Sequence, residues 1–141
     1  YESLNFLIKT DSLSKYSKNI SSSLGVILII VVLFNTGKLY TAIKLTLTVF
    51  MIAYVLIENF SFMGKFYRAY LVCLIPFFVV NGLLTWIPVV TYNDQENLGI
   101  RIGTIPIEDT VYMLLLLLMN VCLYEYFKQL LSKDVKPKSK Y

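Results

Sequence analysis

Histidine is absent from this 141-residue chain, which removes the commonest side-chain base near neutral pH and the commonest metal ligand. Cysteine is scarce. Cys73 and Cys122 lie inside apolar runs without a CxxC partner, so they read as small packing residues rather than redox or metal groups. Only six Gly and four Pro occur, which argues against a low-complexity or disordered chain. No GxGxxG, P-loop or nucleophile elbow is found, so dinucleotide binding and covalent Ser or Cys catalysis lack their usual support. The first residue is Tyr, and no charged stretch with a small-residue cleavage site follows it. The expectation is a fragment that has no signal peptide and lacks its native start.

What the chain has in abundance is apolar surface. It is 57% hydrophobic and 15% aromatic, with a mean hydropathy of +0.65. A soluble domain of this length rarely carries so much, so a membrane protein is expected. The net charge of +4 does not indicate nucleic acid, because no helix turns a basic stripe toward a groove.

Four apolar segments stand out: Ile20–Phe34, Leu39–Ile57, Phe66–Val90 and Ile105–Phe127. The last three each reach the ~20 residues that span a bilayer. The first, of fifteen residues, is the shortest. Tyr40, Tyr67, Trp86, Tyr92, Tyr124 and Tyr126 fall near segment ends, as interfacial aromatics do. If all four cross, one side holds Lys9, Lys15, Lys18, Lys65, Arg68, Lys128, Lys133, Lys136, Lys138 and Lys140, and the other only Lys38, Lys44 and Arg101. Ten basic residues against three predict that both ends are cytoplasmic. The expected architecture is an all-α integral membrane protein, a bundle of about four transmembrane helices. Residues 1–19 are a cytoplasmic lead-in, 20–127 the membrane domain and 128–141 a basic cytoplasmic tail.

This topology gathers polar residues in one leaflet half. Asn81 and Thr85 lie in the outer half of the third helix, and Glu108 and Asp109 in the first outer turn of the fourth. Tyr92 and Arg101 lie in the connection between them. Asp109 and Asn120 fall within about 20° of each other on a helical wheel, with Tyr112 beside the acids. Pro76 and Gly82 around Asn81 predict a kink with local room. An internal echo adds to this, since "YESLNFLIKTDSLSK" at the start matches "YEYFKQLLSKDVKPK" near the end at five of fifteen positions. Tyr1–Glu2 would then be the exit of an upstream helix equivalent to the last, which makes the chain half of a two-repeat protein.

The two acids admit a plain reading. Pro106 suits the first turn of a helix, acids there face the positive end of its dipole, and Arg101 offers a counter-ion. Intramembrane carboxylates nevertheless usually serve a function. Asp94 and Glu96 in "YNDQEN" read as a solvated loop, since no second acidic motif faces them to hold a magnesium-bound phosphate. "GIRIG" has small-xxx-small spacing but lies in the same connection, before Pro106.

The stretch Phe77–Phe127 resembles the second repeat of the small membrane lycopene cyclases. These are carotenoid β-cyclases found as heterodimers or fusions in bacteria and archaea, and fused to phytoene synthase in fungi. Asn81-Gly82, Pro88-Val89-Val90, Tyr92-Asn93, Gly99-Ile100-Arg101 and the Pro-x-Glu-Glu/Asp signature at Pro106-Ile107-Glu108-Asp109 carry the resemblance. It implies a proton-initiated, non-redox cyclisation of lycopene end groups, without cofactor or metal, in the bacterial inner membrane. It also implies a second repeat, in cis or as a heterodimer partner. Cyclisation needs a neutral acid shielded from water, and burial favours the uncharged carboxyl. On this basis Glu108 is the expected proton donor, Asp109 its partner or the base that collects the proton, and Arg101 the group that sets them apart. Asn81, Thr85, Tyr92, Arg101 and Tyr112 are the expected substrate-binding residues. Tyr92, Trp86 and Tyr112 offer ring faces to a cation, worth ~0.5–2 kcal/mol each. Two alternatives remain: a non-enzymatic bundle such as a transporter half with a carboxylate proton relay, and a prenyltransferase-like enzyme using Asp94 and Glu96.

Overall fold

Each long apolar run folds as one helix in the computed structural model, which describes residues 1–134. A short α1 (Glu2–Leu7) precedes α2 (Ser14–Phe34), α3 (Leu39–Glu58) and α4 (Met63–Trp86). A two-stranded hairpin, β1 (Arg101–Ile102) and β2 (Ile105–Pro106), then leads into α5 (Ile107–Asp134). The protein is nearly all α, and α2 to α5 are long and apolar enough to cross a membrane.

The helix limits differ from the hydropathy limits for local reasons. α2 begins at Ser14 rather than residue 20, because Ser, Lys and Asn are polar yet compatible with helix. Its 21 residues rise about 31 Å, enough to span. α4 stops at Trp86 rather than residue 90, because Pro88 disfavours helical backbone at Ile87. Pro106 is not in the first helical turn; it pairs with Arg101 in the hairpin, and α5 starts one residue later. Gly103, at φ +64°, supplies the left-handed backbone that the hairpin turn requires. α5 continues past Phe127 to Asp134, so the expected tail begins as helix. Residues 135–141 of that tail lie outside the described residues.

The helices pack in a ring, with α2 against α3, α3 against α5, α5 against α4 and α4 against α2. Leu28, Leu45 and Ile52 form one buried cluster, and Val55, Phe66, Leu118 and Val121 belong to a second. Gly64 lets α4 approach the start of α2, since a Cβ there would collide with the Asp11 side chain and the Ser14 backbone. Many large apolar residues face outward, Ile57, Val79 and Leu33 among them. On a helix meant for lipid this is the expected surface.

The helix order puts the starts of α3 and α5 at one end of the bundle, where Thr41 meets Glu108. The N-terminal segment lies at the other end. There Arg68 donates to Thr10 O at 2.6 Å and to Asn5 Oδ1 at 3.0 Å. The echoed Tyr-Glu pairs meet there reciprocally. Tyr1 donates to Glu125 and Tyr124 to Glu2, both at 2.8 Å, with the two rings edge to face. Lys128 completes the contact at 2.6 Å from Glu2, and its hydrogen bond lowers the pKa of the Glu2 carboxyl.

Candidate active site

The first turn of α5 places two acids side by side and turns them apart. Both are buried, Glu108 completely and Asp109 to 7% exposure. The hairpin fixes this turn, since Ile107 N–H donates to Ile100 O at 3.0 Å. Ile105 anchors the hairpin on α4 beside Gly82. Successive helical residues project about 100° apart, so adjacent acids meet different neighbours.

Asp109 faces a cation and phenols. Lys44 lies 2.7 Å from its Oδ1, Tyr40 donates to the same oxygen at 2.7 Å, and Tyr92 donates to Oδ2. The Lys44 ammonium also sits 3.5 Å from the centre of the Tyr40 ring and 4.6 Å from that of Tyr112. An aspartate held by three donors, one of them an ammonium, is a satisfied anion. Tyr92 has its pKa raised, first by burial and then by its hydrogen bond to Asp109. A cavity of about 490 Å³ opens on this side, lined by Lys44, Asn81, Asp109, Tyr112 and Asn120 among others.

Glu108 meets a different environment. Its Oε1 accepts from Thr41 Oγ1 at 2.8 Å and from the Leu98 backbone N–H. Its Oε2 is buried without a hydrogen-bond partner among the described residues. Glu108 borders a second cavity, of about 470 Å³, whose wall is otherwise mostly apolar: Leu24, Leu28, Val31, Leu45, Val111 and Leu114 contribute to it. Tyr67 and Tyr70 supply its aromatic faces. Their hydroxyls are engaged, Tyr67 with Ser21 at 2.6 Å and Tyr70 with Thr110 O at 3.0 Å. A volume in this range is that of a small-molecule pocket. A buried polar atom left unpaired is costly, so an oxygen held there calls for an explanation.

The residues expected at the site divide. Asn81, Tyr92 and Tyr112 gather on the Asp109 side, as does Asn120. Thr85 does not join them. Its hydroxyl bonds to Thr104 and to the carbonyls of Asn81 and Gly82, tying α4 to the hairpin. Arg101 is not the counter-ion of the acids. It pairs with the exposed Asp94 and donates to Thr104 O at 3.0 Å, because the hairpin points it back over its own connection. The hydrogen bond from Arg101 to Asp94 lowers the pKa of that carboxyl. Trp86 is exposed and lines a groove with the hairpin, away from the acids. Lys44, Tyr40 and Thr41 were not expected at the site. The available signal was Lys44 itself, an ionisable residue within an apolar span. No group of three or more metal-ligating side chains forms among the described residues.

Neither a curated protein nor a solved structure matches the chain. The family model described as lycopene cyclase matches residues 37–127. That match covers well over half of the chain, from the start of α3 to beyond the middle of α5, and includes both acids and every side chain that bonds to them. This protein belongs to the lycopene cyclase family, whose activity is carotenoid cyclisation.

Proposed function

We propose that the protein is a lycopene β-cyclase in which Glu108 donates the proton that starts ring closure. The observation that carries this reading is the unpartnered, fully buried Glu108 Oε2 at the edge of an apolar cavity. An alkene is a very weak base, so its protonation needs a carboxylic acid kept from water. The reaction is an isomerisation, in which no net electrons move. A lycopene end group is all hydrocarbon, and the apolar wall matches it. The ring faces of Tyr67 and Tyr70 are available to a developing cation. Asp109, bound by Lys44, Tyr40 and Tyr92, is the charged brace that fixes the turn. In this reading Tyr92 acts through that brace rather than on substrate.

The cytoplasmic assignment of both ends rests on the basic asymmetry, and a bacterial inner-membrane location rests on the family resemblance alone. The need for an upstream repeat is supported by the reciprocal Tyr1–Glu125 and Tyr124–Glu2 contacts. Glu108→Gln in the complete protein, expressed in lycopene-producing bacteria, tests the central assignment. The cells should stay red while the protein still inserts. Near-normal cyclic product from this variant would falsify Glu108 as the acid.

A further inference from the structure

We propose that Glu108 carries out both proton transfers of the cyclisation, giving the first proton and taking back the last. This rests on the cyclase reading above. Among the described residues that line the Glu108 cavity, no other carboxyl is present; the remaining ionisable groups are Tyr67 and Tyr70, whose hydroxyls are already bonded. Asp109 borders the other cavity. Both of its oxygens are occupied, Oδ1 by Tyr40 and Lys44 and Oδ2 by Tyr92, so neither is open to a substrate proton. It is also turned away from any end group that touches Glu108.

The steps balance on one oxygen. The O–H bond at Glu108 Oε2 breaks, and its proton adds to the CH carbon of the terminal alkene, leaving the cation on the dimethyl carbon. The electron pair of the next alkene closes the six-membered ring onto that carbon, so the cation moves to the methyl-bearing carbon. The ring-closing carbon then loses its hydrogen to Oε2, and the C–H electrons restore the double bond. Between these steps Glu108 is an anion, held on Oε1 by the Thr41 hydroxyl and the Leu98 N–H, and it lies opposite the cation it has made. The returned proton re-forms the starting acid, so the apolar wall needs no relay to water.

The test is isotopic. Lycopene deuterated at the ring-closing CH carbon is supplied, in ordinary water, to membranes of cells expressing the complete protein. The product is analysed by mass spectrometry and NMR. Most rings should carry deuterium at the ring CH₂ next to the dimethyl carbon, delivered by Glu108 from an earlier closure. Rings formed with all of the label lost to solvent would overturn this proposal and leave the cyclase reading standing. Failure to form any ring would overturn both.

Discussion

The two faces of the first turn of α5 hold the same functional group under opposite conditions. On one, Asp109 has an ammonium, two phenols and a mixed polar and aromatic cavity. On the other, Glu108 has a hydroxyl and an amide on one oxygen and nothing on the second, beside a mostly apolar cavity. Proximity in sequence therefore says little about shared chemistry. A carboxylate surrounded by donors is held in place, whereas one with a free oxygen in an apolar pocket retains the capacity to react.

Exchanging the acids is the most severe way to break this comparison. The double substitution Glu108→Asp with Asp109→Glu keeps charge and composition but withdraws the reactive oxygen from its cavity. Cyclisation should fall by at least ~100-fold, the usual contribution of a positioned acid, as read from carotenoid yield in isolated membranes. Activity close to wild type would show that the two positions are equivalent.

Lys44→Met attacks the braced face alone. Removing one member of a buried ion pair costs about 3 kcal/mol or more, so the unfolding temperature in detergent should drop, and Lys44→Arg should recover part of it. A smaller effect is expected from Thr41→Val, which removes one of the two donors to Glu108 Oε1. A loss of about 1 kcal/mol of stabilisation should slow cyclisation roughly fivefold without lowering the amount of inserted protein.

Arg101→Gln should matter least, with cyclisation changed less than about twofold, as for an exposed ion pair. The sign of its pH dependence is fixed by the Asp94 hydrogen bond, which holds that carboxyl below its ordinary range. The pair is intact above the ordinary carboxylate pKa and is lost only as pH falls through the lowered value. Wild type and Arg101→Gln should therefore have similar unfolding temperatures at acid pH and separate slightly near neutrality. A large loss of activity in this variant would return Arg101 to the site.

The number of long apolar helices follows from the apolar runs, each a property of a single segment, and the shared end of α3 and α5 follows from their alternation along the chain. The prominence of Glu108 and Asp109 was legible too, as charge at the mouth of a run from Val111 to Met119. Their partners were not. Tyr40, Thr41 and Lys44 lie more than sixty residues upstream, and "LYTAIK" reads as the polar start of a span. Arg101 was the nearest cation along the chain, but hairpin geometry, invisible in hydropathy, turned it toward Asp94. Likewise, a helical wheel places Tyr112 near both acids yet does not reveal that a helix neighbour stands between their environments.

The Lys44–Asp109 pair also bears on how the molecule is assembled. Its members are 65 residues apart, so α3 is made, and can enter the bilayer, well before α5 exists. An unpaired lysine at the centre of a span costs ~3 kcal/mol, and less near the end, where its stem can reach the interface. Until α5 arrives, α3 is a poorly settled guest that must hold Lys44 toward the headgroups. Docking of α5 brings the neutralising charge at that depth, so the acid that braces the site also selects the register of α5 against α3. An apolar helix of equal length, without an acid in its first turn, would leave Lys44 without its carboxylate partner.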